Sequence, residues 1–530
     1  MLTRRILLAA TAAAPLTTLT PTANAATPKG VVVMAKQIDD VISFDPAEAY
    51  EFTNNEVNGN VYRRLVTPDE KDHSKVIGDL AESWVISPDG KIFTFKLKTN
   101  SKFPSGKALT AEDAAFSMQR VVKLNKTPAF IITQFGFTKD NVDSLIVAKD
   151  AATLVMTLPS AAAPSFVLFC LSAAVGSIVE KATVMSHDVA GDLGNAWLKG
   201  HSAGSGAYQL VEWVASDHIT IEANPNSGIP VGVKRISIRH VPDPSAQMLM
   251  LTKGDADIVR DLTPDLLTKV KADKAFSVTS SGQGSSMYIA MNQNHPELAK
   301  PQVHQAIKWA IDYEAIAKNI TPNQWVVAQG FLPPGLPGAM TAKPFKKDVA
   351  KAKALLAEAG LPNGFEVTMD FITAAPNADI AQAIQADLAA IGIKVNLVGG
   401  EQKQVITKTR ARTHQMAMLV WGTDYFDPNS NSQAFCENPD DGNDSKLKIL
   451  AWRSHYVDKE LNDMSLAATK ELDGAKRIKM YQDMQVKFAE RAPFAMLLQK
   501  ISSAGLGKGV PGFTIGPLPD FTKFSNIKKA

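Results

Sequence analysis

Apolar and polar positions alternate through Phe93, Phe95 and Leu97, after a short apolar run from Trp84 to Ile86. Between them Ser87-Pro88-Asp89-Gly90 joins a proline, which fixes φ, to a glycine, which takes φ > 0. The pattern predicts a hairpin with one buried face. Thr110, with Asp113 three residues on, then predicts the N-cap of a helix whose apolar face includes Ala114, Met118 and Val121. Farther along, Phe365, Val367, Met369 and Phe371 alternate, Ile380, Ile384, Leu388 and Ile391 fall on one helical face, and Ile393, Val395 and Leu397 alternate again. That order is a βαβ unit, which predicts a parallel strand pair. The helix before it, residues 349–359, stops at Gly360, with Pro362 and Gly364 supplying the turn. The Pro- and Gly-rich stretches 331–338 and 505–516 read as loops.

Length adds that the 530 residues suit two to three domains, at about 100 to 200 residues each. At the N-terminus, Arg4 and Arg5 precede an apolar segment from Ile6 to Ala14, and Ala23-Asn24-Ala25 offers a small-x-small cleavage pattern. Residues 1–25 therefore read as a signal peptide for the Sec route or, through the paired arginines, for the twin-arginine route. The segment falls short of the roughly 20 apolar residues that span a bilayer. Removing Arg4 and Arg5 from the 56 basic residues leaves 54 against 53 acidic ones, so charge points to neither nucleic acid nor an anionic membrane.

Candidate chemistry is sparse. Of the two cysteines, Cys170 lies in the apolar run 166–171 and reads as core, while a bridge from it to Cys436 stays open. Gly200-His201-Ser202-Ala203-Gly204 fits the G-x-S-x-G nucleophile elbow, with His414 or His455 as paper partners. An elbow needs a strand before the serine and a helix after it, yet residues 208–214 alternate like a strand. Ser445 and Lys448 match S-x-x-K without its companion motifs, the histidines show no metal-ligand spacing, and no phosphate-binding GxxxxGK[ST] occurs. No cofactor or metal is expected.

The order of blocks is more informative than any single motif. VYRRLV at Val61, DLAESWVISPDGKIFTFKLK at Asp79, KFPSGKALTAEDAAFSMQR at Lys102, GSGAYQLVEW at Gly204, LTKGDADIV at Leu251, YIAMN at Tyr288, VHQAIKWAIDYEAIAKNI at Val303, FLPPGLPG at Phe331 and WGTDYFDP at Trp421 follow one another along nearly the whole chain. This series resembles the family-5 extracellular solute-binding proteins, the dipeptide and oligopeptide receptors of bacterial ABC importers. The resemblance implies an α/β, two-lobed periplasmic-binding-protein fold with an extra subdomain in the first lobe and a hinge between lobes. It places a first-lobe core in residues 26–62, 196–283 and 502–530, the additional subdomain in 63–195 and the second lobe in 284–501, with Ser- and Gly-rich crossings near 282–284 and 501–505. It implies a monomeric periplasmic carrier without catalytic groups, which closes on a solute, most simply a peptide, and delivers it to permease subunits served by separate ATPase subunits.

By the same resemblance, the aspartate of a W-x-x-D segment pairs with a peptide α-ammonium, and Trp421-Gly422-Thr423-Asp424-Tyr425 matches that segment. Asp424 is the leading site candidate, against the plainer reading of an Asx turn before Asp427-Pro428. Trp421 is read as cavity wall or core, and Tyr425 comes with the segment. Tyr50 and Glu51, after Asp45-Pro46, match a loop that lines the cleft from the first lobe. Ser286, with Ser285 and Met287, lies beside the first crossing and reads as a ligand contact or as hinge linker. Dipeptide-specific relatives carry an arginine before the helix that begins near Ala378, where this chain has Phe371-Ile372-Thr373-Ala374-Ala375-Pro376-Asn377, which weakens strict dipeptide binding. Longer peptides, opines, oligosaccharides and metal chelates stay open as solutes, and from another class, a serine hydrolase at Ser202.

Overall fold

One eleven-stranded sheet runs through both lobes of the computed structural model, which describes residues 27–529. The proposed signal peptide thus lies outside the described residues. At one end of the sheet stand the strands Val31–Lys36, Arg235–His240, His218–Ala223 and Tyr208–Val214, and at the other Met416–Gly422, Glu366–Ile372 and Lys394–Gly400. The two ends meet on the long strands Phe276–Met291 and Phe494–Gly507, which pair antiparallel along nearly their full length. Their register runs cleanly from Phe276 opposite Gly507 to Gly282 opposite Ile501, then resumes with Ser286 opposite Gln499. Four steps on one strand match two on the other, so Gln283, Gly284 and Ser285 bulge out and the ladder bends there. The bulge is held from both sides: Gly284 N donates to Pro517 O at 2.9 Å, and Thr423 N donates to Gly284 O at 2.6 Å.

The predicted βαβ unit is present. Glu366–Ile372 and Lys394–Gly400 pair in parallel, Val367, Met369, Phe371 and Val395 are buried, and the helix Asn377–Ala389 lays Ile380, Ile384 and Leu388 on them. The preceding helix, Val349–Glu358, ends before Gly360, whose φ of 75° suits glycine alone at no cost. In the additional subdomain, Ala81–Ile86 and Ile92–Leu97 form the predicted hairpin, with Phe93 and Phe95 fully buried, inside a four-stranded antiparallel sheet. Thr110 starts the helix Ala111–Leu124 through a capping box, its N–H donating to Asp113 Oδ2 at 3.0 Å. From that helix Arg120 reaches Asp45 with two bonds of 2.7 and 2.5 Å, a buried fork that ties the subdomain to the first lobe.

One sequence expectation meets a different outcome, and two alternatives left open find no support. Residues 505–507 are strand, not loop, because Gly505 admits close packing: a Cβ there would sit 3.0 Å from Val259 and 3.2 Å from Leu251. Cys170 and Cys436 are both free and buried, in the helices Pro164–Leu171 and Pro428–Cys436 of different hydrophobic clusters. Ser202 lies in a loop between the helix Asn195–Leu198 and the strand Tyr208–Val214, where its Oγ accepts a bond from Leu210 N at 3.0 Å. That is the reverse of an elbow's strand-then-helix order.

A candidate solute-binding cavity between the lobes

Between the lobes lies a cavity of about 570 Å³, inside the range of about 300–1,000 Å³ usual for small-molecule sites. Its first-lobe wall comes from residues 49–52 and from the tail at 517–520, and its second-lobe wall from the strand Met416–Gly422 and the turn after it. The bulge residues Gln283, Gly284 and Ser285 close it at the crossing.

The turn after Met416–Gly422 is fixed by its own polar groups. Asp427 accepts from Asn429 N at 2.9 Å and so caps the helix Pro428–Cys436, while its carboxylate takes a two-bond fork from Arg477 at 2.7 and 2.7 Å. Both charges are fully buried. Capping in this turn therefore belongs to Asp427, which leaves the Asp424 carboxylate free of any turn-forming task. The backbone of Asp424 is anchored by Ser430 Oγ at 2.9 Å, and its side chain lines the cavity. Burial pushes the Asp424 carboxyl from 3.8 up to about 6, against a hydrogen bond from Tyr50 that acts in the other direction. No cation among the described residues contributes to that balance.

Tyr50, from the opposite lobe, lines the same cavity and donates its hydroxyl to Asp424 Oδ1. Burial, with Asp424 adding to it, holds this phenol well above its ordinary value, so it stays a donor. Glu51 also lines the cavity, and burial followed by the nearby Asp40 charge raises its carboxyl. Trp421 serves both readings: it lines the cavity, it packs edge-on to Phe435 at 6.4 Å, and its buried indole N–H has no partner among the described residues.

The structure does not bring Tyr425 or Ser286 to the cavity wall. Tyr425 turns into the additional subdomain, where it packs on Phe166 at 6.0 Å and is 1% exposed. Ser286 stands opposite Trp421 in the ladder, buried, with its Oγ unpartnered, and its neighbour Ser285 faces the cavity instead.

Several wall residues carried no signal in the sequence. Asp520 from the tail lines the cavity and pairs with Arg64 at 2.9 Å. Arg410, at the end of the helix Gln402–Arg410, and Arg453, from the short helix Leu450–Arg453, put two guanidinium groups on the second-lobe wall. Burial first, and then Arg410, hold the Arg453 guanidinium below its ordinary value. Among the described residues no group of three or more metal-ligating side chains is gathered, and no helix is long and apolar enough to cross a membrane.

Comparison with known proteins gives one consistent result. Residues 75–443 match the family model of the bacterial extracellular solute-binding proteins, family 5. Over 506 residues the chain is 29% identical to a probable D,D-dipeptide-binding periplasmic protein of Escherichia coli, covering 94% of each. It is 26% identical over 474 residues to a di/tripeptide-binding protein of Pseudomonas aeruginosa, covering 86% of each. In fold it matches an ABC transporter-associated periplasmic binding protein of Helicobacter pylori solved with the peptide STSA, at a TM-score of 0.77 and 24% identity, over 94% of this chain and 98% of that one.

Proposed function

We propose, since this chain belongs to the bacterial extracellular solute-binding proteins of family 5, that it is the periplasmic peptide receptor of an ABC importer. The observation that carries the peptide reading is Asp424: a carboxylate in the wall of an interlobe cavity, desolvated, without a countercharge, and held by one neutral donor from the facing lobe. A desolvated carboxylate of that kind attracts an ammonium through a charge-assisted hydrogen bond. In a bound peptide the α-ammonium takes this place, while Tyr50 keeps its bond to Oδ1 from the other side. Trp421 and Phe52 supply apolar wall to a ligand side chain.

Such a receptor works by population shift. A solute that touches both lobes stabilises the closed form by its extra contacts there, and closure is what the permease reads. The bulge at 283–285 and the paired strands around it serve as the hinge, and the lobe boundaries follow from it, with the subdomain 63–195 travelling with the first lobe. The chain carries and does not catalyse: Ser202 spends its hydroxyl on a backbone amide in a loop remote from the cavity wall. ATP hydrolysis falls to a separate subunit.

Asp424→Asn tests the reading directly. Removing one partner of a charged hydrogen bond costs about 1.5–3 kcal/mol, or roughly 10- to 150-fold in affinity. Isothermal titration with free-amine and N-acetylated peptides should show that loss for both changes, and no further loss when they are combined. Equal affinity of acetylated and free peptides for the unaltered protein would overturn the assignment.

A further inference from the structure

Tyr425 and Phe426 follow Asp424 directly, yet neither belongs to the cavity wall. Each is only 1% exposed, and the rings it meets come from the first-lobe side of the cleft. Tyr425 packs on Phe166 at 6.0 Å and donates its hydroxyl to Gln134 Oε1 at 3.4 Å. Among the described residues it is the only second-lobe member of the additional subdomain's hydrophobic cluster. Phe426 lies against Phe169 at 6.0 Å and His73 at 5.9 Å, both of the subdomain, and against Phe521 of the tail at 5.6 Å. Phe169 is the reciprocal case, a subdomain ring that clusters with second-lobe residues such as Phe435 and Tyr481. The two sides thus exchange rings across the cleft.

The exchange is tied to the solute site by the turn itself. Ser430 Oγ anchors Asp424 N at 2.9 Å and Arg477 holds Asp427 at 2.7 Å, so residues 424–427 move as one piece. On the same face the hairpin turn comes close to the second lobe: a Cβ on Gly90 would sit 2.8 Å from Leu472 Cδ2. Parting the lobes takes Tyr425, Phe426, Phe166 and Phe169 from apolar cover toward water, which the burial of aromatic area opposes. That opposition does not depend on what the cavity holds.

We infer that Tyr425 and Phe426 are positioning residues that set solute affinity: docked on Phe166, Phe169, His73 and Phe521, they hold the lobes together without touching the solute. The apparent dissociation constant is the intrinsic one divided by the fraction of molecules in the binding-competent form. Ring docking raises that fraction, so it strengthens the binding of every solute by the same factor. The additional subdomain, which contributes three of the four docking rings, is then the part of the first lobe that tunes closure. The inference uses the receptor reading above only in taking the lobes to close on a solute, whatever that solute is.

The test is calorimetric titration with trialanine and with its C-terminal amide, beside small-angle scattering of the free and saturated protein. Phe169→Ala and Phe426→Ala should each weaken both ligands by one common factor, about fivefold or more. Each should also enlarge the ligand-free radius of gyration, which returns to that of the unaltered protein at saturation. Combined, they should weaken binding by less than the product of the single losses, because each removes the same contact. Leu472→Ala, at a half-exposed position where the fold is not at stake, should shift affinity and radius the same way by a smaller factor. A lower melting temperature with unchanged affinity and unchanged ligand-free radius overturns the inference and leaves the rings as packing alone. Unequal losses for the two ligands overturn it as well, by putting the rings in contact with the solute. Failure of both ligands to bind the unaltered protein overturns the peptide reading instead, and the ligand-free radius then decides on the rings by itself.

Discussion

Asp424 illustrates how much one carboxyl depends on its surroundings. Burial raises it to about 6 and the Tyr50 hydroxyl restrains that rise, so near pH 6 it is about half protonated. Only the ionised form attracts an ammonium, so affinity for a free-amine peptide should fall as pH drops below about 6, approaching tenfold per unit. The empty protein obeys the opposite sign. Its folded form holds this proton more tightly than an unfolded chain, with an ordinary value of 3.8, does, so the group's stabilising contribution is present at low pH and is lost as pH rises through about 6. Tyr50→Phe removes the restraining donor and should move the midpoint of the binding–pH curve upward. Titrations between pH 5 and 8 measure this, and an unmoved midpoint would show that Tyr50 does not hold Asp424. At this scale the wall positions of Asp424, Trp421, Tyr50 and Glu51 were legible because two short segments match a known receptor pattern. Those of Arg410 and Arg453 were not, because they reach the cavity from separate helices with no shared spacing.

Among elements, the turn at 423–427 shows why position along a chain does not settle direction. Asp424 faces the cavity, whereas Tyr425 and Phe426 pack on Phe166 and Phe169 of the additional subdomain, each at 6.0 Å. Asp427 and Arg477 lock that alternation in place. Arg477→Met leaves a buried carboxylate without its partner and should cost about 3–5 kcal/mol in urea unfolding. Because the same fork sets the direction of Asp424, peptide affinity should fall in the variant molecules that remain folded, and retention of full affinity would separate the two roles. The hairpin at 81–97 and the βαβ unit at 366–400 were legible because each buries one face and so keeps a clean period. The long strands Phe276–Met291 and Phe494–Gly507 were hidden by Ser and Gly around the bulge, which carry no alternation, and Gly505 was mistaken for a loop residue when its task is to admit Val259.

For the whole molecule, the two-lobed plan was legible from block order, while the contacts that hold the lobes together were not. The bond from Tyr50 to Asp424 crosses the cleft, and so does the one from Ala163 N to Thr469 O at 2.8 Å, and Arg477 reaches Ser165 Oγ at 3.0 Å. These contacts join the two lobes across the cavity. A peptide that touches both lobes should shift the ensemble toward this arrangement, and small-angle scattering should report a smaller radius of gyration with peptide than without.

Cys170 sits where that shift can be timed. Its sulfur is 3.5 Å from Gln134 Nε2, and Gln134 in turn meets Tyr425 of the other lobe. Burial pushes its thiol up, with the Asp427 charge adding to the rise, so in the closed form it is inert. Parting of the lobes strips away its cover from Tyr425 and Asp427, whereas the charges that act on the Cys436 thiol, Glu437 and Asp458, lie in its own lobe. The unaltered protein thus carries its own stopwatch: alkylation of Cys170 should proceed at the pace of opening and slow as peptide is added, with Cys436 silent throughout.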